Sequence, residues 1–140
     1  MSQFKGIAFS SVLANIHAQA FSEPWAETTF LSLLKLPSTL GWENDYGFLL
    51  ASDLGNDLEI LTLAILPQYQ RQGHASCLMT EMCDWAKENH KKSIFLEVAK
   101  DNIAAQQLYL KMGFTQTGMR PAYYKRGDTR IDAICMTLFF

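Results

Sequence analysis

The sequence predicts an α/β domain built on a mixed sheet with helices on both faces. Three observations carry this expectation. DLEILTLAIL (Asp57 to Leu66) and SIFLEVA (Ser93 to Ala99) are β-type runs, apolar on consecutive residues, as in strands buried on both faces. The stretches between and before them repeat apolar residues at helical spacing. The tail from Thr115 to Phe140 reads as two strands around the turn Arg126-Gly127-Asp128.

Each element has a local reason. SSVLANIHAQAF offers serine caps and an apolar stripe at Val12, Leu13, Ile16 and Ala20. SEPWAETTFLSLLKL follows, with Ser22 as cap candidate and Pro24 near the first turn, until Pro37 stops it. STLGWEN and YGFLLASD read as short strands joined at Asn44-Asp45, and Gly55-Asn56 marks the next turn. A helix is expected from about Gly73 to Asn89. Another runs through DNIAAQQLYLKMGF, capped by Asp101 or Asn102, with Gly113 near its end. Neither repeat nor linker interrupts the chain, so a single domain over residues 1–140 is expected.

Composition narrows the function. The 140 residues are 49% hydrophobic and 19% charged, which fits a folded globule. The formal net charge of −2, without a long run of either sign, disfavours a nucleic-acid partner. No apolar run approaches the ~18 residues that span a membrane, and MSQFKGIAF lacks a signal-peptide core. Cys77, Cys83 and Cys135 match no zinc or disulfide spacing. They read as reduced thiols of a cytoplasmic protein, with no metal expected.

The loop PQYQRQGHASCL is where chemistry concentrates. A helix that opens inside a loop leaves its first N–H groups without intrahelical partners. Those donors and the positive end of the helix dipole suit an anion. Gly73 removes a side chain where a ligand would approach the backbone, Ala75 is small, and Arg71 adds a charge. The spacing is neither a Walker loop nor a G-x-G-x-x-G fingerprint.

Gln70-Arg71-Gln72-Gly73-His74-Ala75 resembles the Q/R-x-x-G-x-G/A signature of the GNAT acetyltransferases. It follows the long β-run and opens a helix, as in that family. FLEVAKDNIAAQQLYLKMGF resembles a second family signature, the strand and helix ending N-x-x-A…L-Y-x-x-x-G-F. AFSEPW and AYYKRGDTRIDAICM look like the ribosomal-protein-alanine N-acetyltransferase (RimI) type, so the similarity covers nearly the whole chain. His74 departs from the usual Gly, Leu or Ile, Ala75 replaces the commoner final Gly, and Ile131 stands where an acid often precedes the Asp, here Asp132.

The resemblance implies a GNAT fold: a mixed, mostly antiparallel sheet of about six to seven strands flanked by about four helices. It implies acetyl-coenzyme A as co-substrate, with the diphosphate cradled by Gln70, Arg71, Gln72, Gly73, His74, Ala75 and Ser76. The pantetheine arm is expected along Leu63, Ala64 and Ile65, with further contacts from Asn102 and Tyr109. Backbone N–H groups around Ala64 and Ile65 are candidates to hold an oxyanion.

An amine attacks only when neutral. At neutral pH an α-amine gives up its proton at a cost of about 1 kcal/mol, a lysine about 4 to 5. A modest base therefore suffices for an α-amine. Glu97 is the candidate, because an apolar strand makes a carboxylate a better base; Glu59 is the second. Tyr109 matches the family's general acid, a phenol protonated at neutral pH. Trp25, Tyr123 and Tyr124 are candidates to line a peptide groove. The cysteines lack an evident histidine partner, so direct attack in a ternary complex is expected rather than a covalent enzyme intermediate. The expected acceptor is a protein N-terminal α-amine, for instance of a ribosomal protein. The alternatives are a lysine or small amine as acceptor, or a non-catalytic acyl-coenzyme A-binding module. A monomer or a homodimer would both serve.

Overall fold

The central β-run becomes the middle of a seven-stranded sheet. The structure, a computed structural model, describes residues 2–4 and 10–140; most of MSQFKGIAF lies outside them. In chain order the elements are β1 (Ser2–Phe4), α1 (Ser10–Ala20), α2 (Glu27–Lys35), β2 (Thr39–Asn44), β3 (Gly47–Asp53) and β4 (Asp57–Ile65). A single 3-10 turn at Pro67–Tyr69 precedes α3 (His74–Glu88), β5 (Ser93–Ala99), α4 (Ile103–Lys111), β6 (Thr115–Arg126) and β7 (Thr129–Phe139). The strand order is β1-β2-β3-β4-β5-β7-β6. Only β4 and β5 run parallel; every other neighbouring pair is antiparallel.

Two apolar clusters cover the two faces of the sheet. On one, Leu78, Met79 and Met82 of α3 and Tyr109 of α4 pack with Leu49, Leu58, Ile60 and Leu96. On the other, Leu13 of α1 and Phe30 of α2 pack with Phe48, Leu50 and Ala64. Strand β4 is not buried on both faces as its composition suggests. Glu59, Leu61 and Leu63 are only half-buried. The register gives the reason. Leu50 faces Thr62 and Ala51 faces Ile60, so Leu61 is an extra residue, a β-bulge that switches which side chains face which cluster. Consecutive apolar residues thus serve opposite faces in turn.

The second helix opens later than Ser22 and Pro24 suggest. Ala26 is still extended (φ −71°, ψ 157°), and helical hydrogen bonding starts at Glu27. The Trp25 N–H, instead of entering a helix, donates to Nδ1 of His17 at 3.1 Å. The stretch before it is also turned from helix by Pro24, which disfavours helical backbone at Glu23.

His17 ties the α1–α2 connection to the sheet. With Nδ1 accepting from Trp25, Nε2 carries the proton and donates to Thr62 Oγ1 at 3.1 Å. The ring stacks between Phe21 (centroids 4.2 Å, 22°) and Trp25 (5.1 Å, 24°) and is 2% exposed. Burial lowers its pKa from 6.5 to about 4. A histidine with a depressed native pKa leaves the unfolded chain binding the extra proton, so stability is lost as pH falls from about 6.5 toward 4. At 1.36 kcal/mol per unit the full shift corresponds to about 3 kcal/mol. Urea unfolding at about pH 7 and about pH 4.5 checks this. The loss of stability between the two should be clearly smaller in His17→Phe than in the wild type, and an equal loss would exclude His17 as its source.

Candidate active site

Strands β4 and β5 share only three pairs, Asp57–Ser93, Leu58–Ile94 and Glu59–Phe95. Beyond them β4 continues to Ile65 and β5 to Ala99 without facing each other. The antiparallel ladder with β3 uses alternate residues of β4. Leu66 N–H donates to Tyr46 O, and the same alternation pairs Ala64 with Phe48. The backbone groups of Leu63 and Ile65 therefore point into the gap, and Ile65 O accepts from the Gln70 side chain at 3.0 Å.

The gap opens into two clefts that meet. One, of about 400 Å3, runs along Leu63, Ala64 and Ile65 to Gln70, Arg71, Gly73, His74, Ala75 and Ser76. The other, of about 250 Å3, lies among Trp25, Leu61, Glu97, Tyr124 and Arg126. Leu63, Asn102 and Tyr109 line both.

The first cleft ends at the mouth of α3. Gly73 is the helix N-cap in the left-handed region (φ 88°), where a residue with Cβ is strained. No side chain caps the helix, and a Cβ on Gly73 would meet nothing within 4 Å. The first helical bond here is Cys77 N–H to Gly73 O, which leaves the N–H groups of His74, Ala75 and Ser76 directed out of the helix. His74 stacks on Tyr46 at 3.6 Å between centroids, which fixes its ring at the rim. These uncapped donors and the nearby Arg71 fit a diphosphate. Asn102 is the cap of α4, accepting from Ala105 N–H at 3.2 Å.

In the second cleft the residues form an electrostatic cluster. Glu97 Oε1 pairs with Arg120 Nη2 at 3.0 Å, whereas Oε2 is buried with no hydrogen-bond partner among the described residues. The setting of Glu97 is thus not simply apolar, as its strand suggests. Burial pushes the Glu59 carboxyl above its usual range, the Glu97 charge adds to this, and Arg120 opposes it. Tyr124 O–H donates to Glu97 O at 3.1 Å, and burial and then the Glu97 charge push its pKa up to about 12. Tyr109 is 8% exposed, and burial raises its phenol well above the ordinary value, with Tyr124 adding to the shift. Both phenols are therefore protonated at neutral pH. Burial raises the Cys135 thiol, and Glu97 adds to it, so this cysteine is held as the thiol.

Sequence-derived candidates fall into two groups. Glu97, Tyr109, Trp25 and Tyr124 come together around one cleft. Tyr123 is 47% exposed and packs edge-on against Tyr124 beneath Arg120, outside the cleft lining. Gln72 lies near the loop but outside the lining as well. Sequence reasoning missed Arg120, Thr62 and the role of His17. Arg120 carries no local signal, because its partner lies on another strand. His17 did carry one: it stands four residues before Phe21, a spacing that places two side chains on one helix face.

Among the described residues no helix is long and apolar enough to cross a membrane. The sequence profile of the Acetyltransferase (GNAT) family matches residues 11–114. The chain is 31% identical over 129 residues to the [ribosomal protein bS18]-alanine N-acetyltransferase of Escherichia coli K12, covering 89% of this chain and 86% of that protein. It is 31% identical over 128 residues to the N-alpha-acetyltransferase RimI of Mycobacterium tuberculosis, covering 80% of this chain and 76% of that one. The crystal structure of the ribosomal-protein-S18-alanine N-acetyltransferase from Escherichia coli superposes with a TM-score of 0.89 at 28% identity, covering 99% and 92% of the two chains. A family profile over most of the chain, relatives at this identity and a cleft ending in free helix donors lead to one conclusion: the protein belongs to the GNAT acetyltransferase family and is an acetyl-coenzyme A-dependent N-acetyltransferase.

Proposed function

We propose that this enzyme acetylates the N-terminal α-amine of a protein, with a ribosomal protein as the first candidate, by direct transfer in a ternary complex. The observation that carries the reading is the meeting of the two clefts at Tyr109, where a buried phenol reaches both. The named activities of the relatives in Escherichia coli and Mycobacterium tuberculosis support the choice of acceptor. The free thiols Cys77, Cys83 and Cys135 fit a reducing, cytoplasmic setting.

Acetyl-coenzyme A supplies the activated thioester. The N–H groups of His74, Ala75 and Ser76, with Arg71, hold its diphosphate. Leu63 and Ile65 direct their backbone groups toward its pantetheine arm, and their N–H groups are the donors for the oxyanion. This moves the donor role off Ala64, whose N–H is taken by Phe48. Glu97 takes the proton from the acceptor amine, directly or through a water, using its unpartnered Oε2. As the nitrogen–carbon bond forms and the carbon–sulfur bond breaks, Tyr109 gives its proton to the departing sulfur. Burial keeps this phenol protonated at neutral pH, so the proton is present to be given. Trp25 and Tyr124 flank the acceptor, and Glu59 lies close enough to Glu97 to keep the cluster acidic.

The deciding experiment is a thiol-release assay with peptides that begin with alanine, their N-blocked counterparts, a lysine peptide and a polyamine. Transfer to the free α-amine is expected, and transfer only to lysine or polyamine would overturn the acceptor assignment. Tyr109→Phe should lower kcat by about 100-fold, the lower end for a general acid, while the Kd for acetyl-coenzyme A stays the same. An unchanged kcat excludes the acid role. Glu97→Gln should abolish the acidic limb of the kcat/KM profile against pH, whereas a superimposable profile removes Glu97 as base. Arg71→Ala should weaken acetyl-coenzyme A binding several-fold and make it less sensitive to salt. Calorimetric titration at two ionic strengths reads both effects.

A further inference from the structure

We propose that His17 is a positioning residue for the acceptor: its neutral ring bolts the Ser22–Trp25 segment to β4 and thereby sets the cleft that receives the amine. This rests on the reading that the cleft beside Trp25 takes the acceptor.

The geometry carries the inference. The segment Ser22–Trp25 walls the acceptor cleft through Ser22, Glu23 and Trp25. Among the described residues, one hydrogen bond fastens it to the rest of the protein, Trp25 N–H to His17 Nδ1 at 3.1 Å. Ring contacts of Trp25 with His17 and with Phe30 add apolar attachment. The opposite edge of the imidazole reaches Thr62 Oγ1 at 3.1 Å, and Thr62 sits between the Leu61 bulge and Leu63 in the strand that borders the gap. His17 thus connects this wall of the acceptor cleft to the strand that borders the coenzyme side.

A neutral imidazole suits this place for a simple reason. It offers one acceptor and one donor on opposite edges of a flat ring, and both are used here. A phenylalanine would preserve the stack and lose both bonds. An asparagine would place a carbonyl near the position of Nδ1 but would not reach Thr62. Phe21, stacked on His17, lines both clefts, but the two hydrogen bonds of His17 run to Trp25 and Thr62, which line the acceptor cleft and not the coenzyme cleft, so their loss falls on the acceptor side.

The test compares wild type, His17→Phe, His17→Asn and Thr62→Val. KM is measured with whichever amine of the panel the wild type acetylates fastest, so an error in the α-amine assignment leaves this test intact. Titration gives the Kd for acetyl-coenzyme A, and hydrogen exchange monitors the Trp25 amide. His17→Phe should raise the acceptor KM about tenfold or more, leave the coenzyme Kd unchanged and speed exchange at Trp25. His17→Asn should recover most of the KM. Thr62→Val, which keeps the Trp25 bond, should give a smaller rise in KM than His17→Phe. The proposal is overturned if His17→Phe leaves the acceptor KM as in wild type. It is equally overturned if KM and coenzyme Kd rise together, which marks general loosening, or if His17→Asn is as impaired as His17→Phe.

Discussion

The divergence of β4 from β5 after three parallel pairs governs everything built around it. A sheet that stops pairing in its own middle leaves backbone donors and acceptors that a protein interior does not tolerate unpaired. Here they face a cleft, where a ligand can use them. The Leu61 bulge contributes, since an extra residue bends a strand and increases its twist. The same parting of strands lets α3 present its uncapped end from one side and α4 present Tyr109 from the other. The two clefts are thus two ends of one structural irregularity.

The charges around the gap are arranged so that opposite protonation states coexist. Burial keeps the Tyr109 and Tyr124 phenols protonated. Nearby, one oxygen of Glu97 is held by Arg120 and the other is unpartnered. Arg120 balances two carboxylates, Glu59 and Glu97, from an exposed position on β6. Transfer from a thioester to an amine calls for one group to receive a proton and one to deliver it, and a carboxylate beside protonated phenols meets that chemical need.

The cleft beside Trp25 is shaped by irregular backbone held by side-chain acceptors on regular elements. On one wall His17 of α1 receives the Trp25 N–H. On the other, β6 carries two extra residues between Arg120 and Tyr124, with Ala122 at φ 51°. Asp132 of β7 receives the Ala122 N–H at 2.9 Å, and this bend turns Tyr124 inward while Tyr123 stays outside. Each wall therefore contains a short strained or non-helical stretch whose backbone N–H is held by a side-chain acceptor, the kind of device that fixes a cleft without closing it.

The sequence alone determined the element order and the loop that opens α3, because both are written in local chemistry. Apolar periodicity, caps such as Asn102 and the conformational freedom of Gly73 act over a few residues, so they are readable in one dimension. Glu97 and Tyr109 stood out in the sequence for a related reason, since each sits within a run of contiguous residues that resembles a family signature. Only the tertiary structure decided what depends on distant partners. The Leu61 bulge appears only through the register with β3, and Leu61 and Leu63 of this apolar run are half-buried because they line the clefts. Arg120 meets Glu97 across the sheet, Thr62 meets His17 across a helix–strand interface, and Trp25 enters the site because that histidine withdraws its N–H from a helix. Such contacts join residues far apart in sequence, and no local propensity encodes them.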